Sequence, residues 1–192
     1  MIQSKIDLKR YIDADTKAMG FNGKSLIFEF LKGNIDDVNT MMLIRKLRKF
    51  EYVVNNFRKY GFIGNLWYIY HKNKFHRLRR KRNIYLFPNV FEEGLHIVHP
   101  GYVWADGAAR IGKNCTILPR VLIGKKRPGI PSPHTYIGDN CYIGTGVTIL
   151  GPVRIGNNVT IAAGAVVTSD IKDNCVVGGV PAKIINVNII NH

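Results

Sequence analysis

Aliphatic side chains recur at every sixth residue through the second half of the chain. Ile111, Ile117 and Ile123 stand six apart, and Ile137, Ile143, Ile149, Ile155, Ile161 and Val167 continue at the same step. A small or branched apolar residue follows most of them four places on: Cys115, Val121, Cys141, Val147, Val153, Val159 and Ala165. Gly comes directly after the aliphatic at positions 112, 124, 138, 144 and 156. A fixed internal period is a strong architectural constraint, because each unit must be one module that buries its apolar face against its neighbours. Here each unit reads as a short strand plus a corner. The paired apolar positions point inward, and Gly or Asn in "GKN", "GDN" and "GNN" suits corners with left-handed backbone angles. Cys115 and Cys141 fall on inward positions and read as small core hydrophobes.

No helical stripe is found between Pro88 and Pro181, whereas residues 1–88 read as helical. Leu43, Ile44, Leu47, Phe50, Val54 and Phe57 form one apolar stripe at helical spacing. Asn34, Asp36 or Asp37 is placed to cap that helix, and Gly61 to end it. A second helix is predicted from about Asn65 to Arg82, and a shorter one in "GKSLIFEFLKG". The organisation expected is a helical domain over 1–88, a repeat domain over 89–185 and a tail over 186–192. The chain is long enough at 192 residues to bury a core without disulfides. Three cysteines with no CxxC pair suggest neither a disulfide framework nor a zinc site, and no ligand cluster at metal spacing appears. The N-terminal residues lack the apolar core of a signal peptide, and "FIGNLWYIY" is far too short to span a bilayer. A cytoplasmic protein is therefore expected.

The six-residue ladder is the hexapeptide signature, and the region resembles the left-handed parallel β-helix acyltransferases. The fold class implied is α+β by segments: a helical N-terminal region, then a left-handed parallel β-helix of hexapeptide repeats. Such domains stack three hexapeptides per triangular coil, so residues 137–172 supply two coils and 105–122 about one more. The ladder breaks once, between Ile123 and Ile137, where 14 residues replace a multiple of six. Pro128, Pro131 and Pro133 there cannot sit in a regular ladder, so a loop is expected, carrying Lys125, Lys126, Arg127 and His134.

His99 falls on the aliphatic register, six before Ala105. His134 follows it by 35 residues. That spacing resembles the serine acetyltransferase and capsular-polysaccharide O-acetyltransferase branch of the family, which has one catalytic histidine before the regular coils and a second 35 residues later. "AAGAVVTSDIKDNCVVGGVPAKII" is similar to the closing coil of that branch. By this resemblance His99 is a general base that takes the acceptor's proton, and His134 binds the acceptor or stabilises the oxyanion. Acetyl-CoA is the implied co-substrate, lying in a groove between prisms of a homotrimer. The positions matching its contacts are Gly144, Thr145, Ala162, Ala163 and Lys183. Asp15 stands where serine acetyltransferases carry a substrate-contacting aspartate. Direct transfer without an acyl-enzyme is expected, since no Ser or Cys nucleophile with a partner base stands out.

Two positions depart from the serine acetyltransferase pattern. The residue before the first histidine is Val98 instead of an aspartate that orients the ring, and Asp106 is the substitute carboxylate proposed for His99. The residue before the second histidine is Pro133 instead of an arginine that grips the serine carboxylate. Loss of a bidentate charge-assisted contact favours a neutral acceptor. The leading expectation is thus an acetyl-CoA-dependent O-acetyltransferase acting on a sugar hydroxyl in surface-polysaccharide synthesis. The alternatives are a serine O-acetyltransferase of cysteine synthesis, whose tail would end in Ile where this chain reads "NVNIINH", and a non-catalytic hexapeptide scaffold.

Net charge is +15, and residues 1–93 hold 19 basic against 9 acidic side chains. Such a balance favours anionic partners. The run "HKNKFHRLRRKR" at 71–82, beside Trp67, Tyr68 and Tyr70, reads as a solvated face, a wall near the CoA phosphates, or a peripheral contact with anionic lipid. Nucleic acid is not expected as a partner, because no zinc knuckle, RNP-like pair or helix-turn-helix accompanies the charge.

Overall fold

A computed structural model describes residues 1–21, 26–130 and 134–187. Four α-helices come first: α1 (Lys5–Ala18), α2 (Leu26–Leu31), α3 (Ile35–Asn56) and α4 (Gly61–Arg82). A 3-10 turn, Phe57–Tyr60, joins the last two. Fourteen short strands follow: β1 (Ile84–Tyr85), β2 (His96–Ile97), β3 (Val103–Ala105), β4 (Ala109–Ile111), β5 (Thr116–Ile117), β6 (Val121–Lys125), β7 (Thr135–Ile137), β8 (Tyr142–Ile143), β9 (Thr148–Gly151), β10 (Val153–Ile155), β11 (Thr160–Ile161), β12 (Val166–Val167), β13 (Cys175–Gly178) and β14 (Lys183–Val187).

These strands make the three faces of a triangular left-handed prism. One face is β1-β3-β6-β9-β12, the second is β4-β7-β10, and the third is β2-β5-β8-β11-β13 with β14 beyond it. All pairings are parallel except β13 with β14. The expected inward residues are the core: Ile111, Ile117, Ile123, Ile143, Ile149 and Ile161 are all at most 2% exposed. Cys115 and Cys141 lie among them, and burial pushes the Cys115 thiol well up and the Cys141 thiol to about 11.

The prism is taller than the sequence suggests. Strand β1 begins it at Ile84, inside the segment assigned to the helical domain, and Phe91 bridges to Ile111 on the second face. The first face has five tiers instead of about three coils in all. Its lowest coil uses Ile84, Leu86, Phe91, Leu95 and Ile97, which are buried but not six apart. The loop is also larger than a count of 14 implies. Ile123 and Ile137 lie on consecutive faces, and Ile123 pairs with Ile149, 26 residues on, where the regular neighbouring coils of this face step by 18. The insertion is thus eight residues. Pro131 and Pro133 lie outside the described residues.

Asn and Gly do different work at the corners. Asn114, Asn140, Asn158 and Asn174 take positive φ, between 54° and 59°. Their side chains bond one another up a single edge, at 3.0, 3.1 and 2.8 Å. The glycines after the aliphatics do not take positive φ there; at 112, 138, 144 and 156 they are small because the next tier is close. A Cβ on Gly138 would stand 2.5 Å from Asn157 Oδ1 and 2.7 Å from the Gly156 carbonyl carbon. Gly138→Ala is therefore expected to destabilise the fold by about 1–3 kcal/mol, read as a lower Tm by circular dichroism with the spectrum otherwise retained.

The helical half packs on the foot of the prism and shares its core, through Leu43, Ile44, Leu47, Phe50 and Phe75. Val54 and Phe57 of the predicted stripe are only half-buried. Asn34 is the N-cap of α3 without a side-chain cap bond, and Gly61, at φ 53°, opens α4 instead of closing α3. Serine at position 4 forms a capping box with Asp7 at the start of α1.

Candidate active site

The edge between the third and first faces is built from turns that stack vertically. A Cβ on Gly101 would lie 2.9 Å from Pro119 Cβ. The Pro119 carbonyl accepts from Thr145 Oγ1 at 2.8 Å and from the Gly146 N–H at 3.0 Å. The Thr145 carbonyl accepts from the Gly164 N–H at 2.9 Å, and the Gly179 carbonyl from Val166 at 3.0 Å. His99, at the turn from β2 to β3, stands exposed at the foot of this edge. Gly144, Thr145, Ala162 and Ala163 rise above it, and Lys183, paired with Gly178, is exposed near the top. A Cβ at Gly144 would meet Ala163 N and the Ile161 carbonyl oxygen at 2.8 Å, so these corners are as tight as backbone permits. One edge therefore holds all five positions singled out for the acyl carrier together with His99.

His134 belongs to the next edge, between the first and second faces. It returns the loop to the prism at the start of β7. Its N–H points to the Ala108 carbonyl below at 3.4 Å, and its carbonyl accepts from Val153 above at 3.0 Å. The side chain is 2% exposed. Nδ1 meets the buried Thr135 Oγ1 at 2.8 Å. Gly151 makes room overhead, because a Cβ there would sit 2.6 Å from Nδ1 and 2.3 Å from Thr135 Oγ1.

Asp106 faces His134, not His99. Its Oδ2 is 3.4 Å from His134 Nε2, while its Oδ1 accepts the Ala108 N–H at 2.9 Å. The sequence reading that gave this carboxylate to His99 followed nearness along the chain. The coil instead sets Asp106 one tier beneath His134. At 3.4 Å the contact is Coulombic and not a formed hydrogen bond, so Nε2 is a buried polar atom without a hydrogen-bond partner among the described residues. A carboxylate at that distance favours the proton on Nε2, leaving Nδ1 to accept from the Thr135 hydroxyl. His134 is then a buried donor on the side of Asp106, whose side chain is 30% exposed.

Asp15 lies elsewhere. It is fully buried between α1 and the lowest coil. Its carboxylate binds Arg48 Nε at 2.7 Å and Nη2 at 3.2 Å, and accepts the N–H groups of Gly94 and Leu95 at 2.9 and 2.8 Å. Both oxygens have protein partners and the side chain has no exposed surface, so this geometry offers a joint between the two halves and no face to a substrate. Arg48 and Glu51, which complete the joint, carried no sequence signal beyond their place on the apolar stripe.

The loop is tied to its surroundings by Lys125 Nζ, which donates to the Ile130 carbonyl at 3.0 Å, and by Lys126, which donates to the Thr168 carbonyl. The outer surface of the second face forms a groove of about 660 Å³, walled by Arg110, Tyr136, Arg154 and Lys172, with Arg154 4.3 Å over the Tyr136 ring. Among the described residues no group of three His, Cys, Asp or Glu side chains is placed to hold a metal ion.

Comparison with known proteins agrees with this architecture. Residues 134–169 match the bacterial transferase hexapeptide model, described as six repeats. A serine acetyltransferase of Synechococcus elongatus is 33% identical over 93 residues, covering 48% of this chain. The match spans 38% of that relative's own length. Among solved structures, the Neisseria gonorrhoeae serine acetyltransferase superposes with a TM-score of 0.74 at 25% identity, covering 97% of this chain and 69% of that one. Its complex with serine gives 0.72 at 26%, over 95% of this chain and 71% of that one. The Brucella abortus serine acetyltransferase in complex with coenzyme A gives 0.70 at 23%, over 96% and 70%, a likeness of fold. The likeness thus includes the helical half as well as the prism. The chain thus resembles the hexapeptide-repeat transferases over residues 134–169 and the solved serine acetyltransferases in its overall form.

Proposed function

We propose that the chain is an acetyl-CoA-dependent O-acetyltransferase of the serine acetyltransferase type. The observation that carries this reading is His134: an almost fully buried imidazole, backed by Thr135 and Asp106, whose Nε2 lacks a hydrogen-bond partner among the described residues. A ligand oxygen on the side of Asp106 satisfies that atom. His99, exposed at the foot of its edge, is the base that removes the acceptor's proton as its oxygen attacks the thioester carbonyl. His134 donates to the acceptor or to the tetrahedral oxyanion. Collapse of that intermediate releases the CoA thiol and leaves the ester.

His99 and His134 stand on different edges of one prism. A site that uses both needs the His99 edge of one copy against the His134 edge of another, which supports a closed ring of three subunits. Acetyl-CoA would then lie along Gly144, Thr145, Ala162, Ala163 and Lys183 in the groove between copies.

The whole-chain likeness to an enzyme solved with serine supports a serine hydroxyl as the acceptor. A second reading, a neutral sugar hydroxyl, is supported by Pro133 and Val98, which replace the charged residues that serve an amino-acid substrate. Thiol release from acetyl-CoA separates them. Release with L-serine is expected if the first reading holds, and release with nucleotide sugars alone if the second does. No release with any acceptor, together with no CoA binding by calorimetry, would leave a hexapeptide scaffold and end the proposal.

A further inference from the structure

Helix α4 has one face that none of the described residues covers. Gly64 and Phe75 are buried, and Tyr68 stacks on Phe57 with centroids 4.8 Å apart, so the helix has a well-defined inner side. The opposite side begins with Phe62, Ile63, Leu66, Ile69 and Tyr70, which are 51–76% exposed. The spacing 62, 66, 69, 73, 77 and 80 keeps one stripe in line along the helix. Past Tyr70 that stripe turns cationic, with Arg77 and Arg80 on it and Lys72 and Lys81 exposed at its flanks. Two basic side chains of the segment are used inward: Arg79 lies over the Phe87 ring at 4.9 Å, and Arg82 donates to Asn39 at 2.5 Å. No Asp or Glu occurs between Glu51 and Glu92.

We propose that this face of α4 seats the protein on an anionic lipid bilayer, with its N-terminal turns in the interface and its C-terminal turns on the headgroups. The axial order of apolar then basic side chains fits a surface whose apolar depth and negative charge lie at different heights. Charge decides against the obvious competitor. A second copy would bring another helical half, whose residues 1–88 hold 19 basic and 7 acidic side chains, against the same cationic turns. Among the described residues no helix is long and apolar enough to cross a membrane, and the contact proposed is one of lying on the surface. The inference stands apart from the acetyl-transfer reading, since it uses no residue of that site.

The test is co-sedimentation of the full chain with vesicles of pure phosphatidylcholine and of phosphatidylcholine mixed with phosphatidylglycerol. Two variants accompany it: Leu66→Asn with Ile69→Asn, and Arg77→Gln with Arg80→Gln and Lys81→Gln. All changed residues are solvent-exposed, so an unchanged Tm is expected. Wild type should pellet only with the anionic vesicles and be released by high salt. Each variant should lose that binding, the charge variant by about a hundredfold. Failure to pellet with either vesicle overturns the proposal. So does sedimentation of wild type as an assembly that the Leu66→Asn, Ile69→Asn variant splits, which would make this face a contact between copies.

Discussion

Replacing either His99 or His134 with Ala is expected to slow acetyl transfer by about 10²–10⁴-fold while leaving Tm within the range of a surface change for His99. Each removes a different element of the chemistry. Without His99 the acceptor hydroxyl keeps its proton during attack. Without His134 the buried donor is lost, and Asp106 faces an empty cavity. Asp106→Asn keeps the shape and removes the charge that holds the proton on Nε2, so it should cost less, about tenfold, and Asp106→Glu should recover little because the carboxylate is fixed by the Ala108 N–H at 2.9 Å. The decisive version mixes the two single variants. If sites form between copies, a chain lacking His134 still offers its His99 edge to a chain lacking His99. Random co-assembly of the two inactive proteins in equal amounts should then restore activity to about a quarter of wild type. Activity that stays at the level of the single variants would place both histidines' work within one chain and remove the reason for a shared site.

The prism was readable because its repeat is local. Every sixth residue meets the same environment, so the inward positions from Ile111 to Val167 could be named without coordinates, as could the corner asparagines. The lowest coil escaped because Ile84, Leu86, Phe91 and Ile97 keep no regular step, and their order comes from packing on α3 and α4. The insertion was miscounted because a break in a ladder does not say which face the chain returns to; only the pairing of Ile123 with Ile149 does. Asp106 shows the same limit at the site. It is seven residues from His99 and 28 from His134, yet stacking of coils brings it to the second. Contacts between tiers are set by the coil length plus its loop, a quantity that sequence distance hides. Asp15 did not read as a structural residue for a related reason: its partners, Arg48 on α3 and the consecutive Gly94 and Leu95, come from two segments far from it in sequence.

That joint supports the other large effect. Asp15→Ala is expected to destabilise the protein by about 3–5 kcal/mol, because Arg48 has no exposed surface and would be left as a buried cation short of its partner. All five guanidinium N–H bonds are matched in the intact protein. They go to both Asp15 oxygens, to Glu51 at 3.0 Å, and to the Phe91 and Glu92 carbonyls at 2.8 and 2.7 Å. Burial works against the charge on Arg48, and the Glu51 and Asp15 carboxylates outweigh it and hold the guanidinium firmly protonated. Removing one carboxylate also strips the Gly94 and Leu95 N–H groups of their acceptor, at the point where the helical half meets the prism. For a chain of this size the loss lowers Tm by roughly 6–20 °C in a thermal melt. Asp15→Asn retains an oxygen for those N–H groups and should fall in between. The same variants bear on the resemblance that made Asp15 a substrate contact. A residue sealed between α1, α3 and the first coil should change Tm and leave KM of the folded enzyme alone. A raised KM at unchanged Tm would mean that the aspartate reaches the acceptor after all, and that the helical half opens to let it.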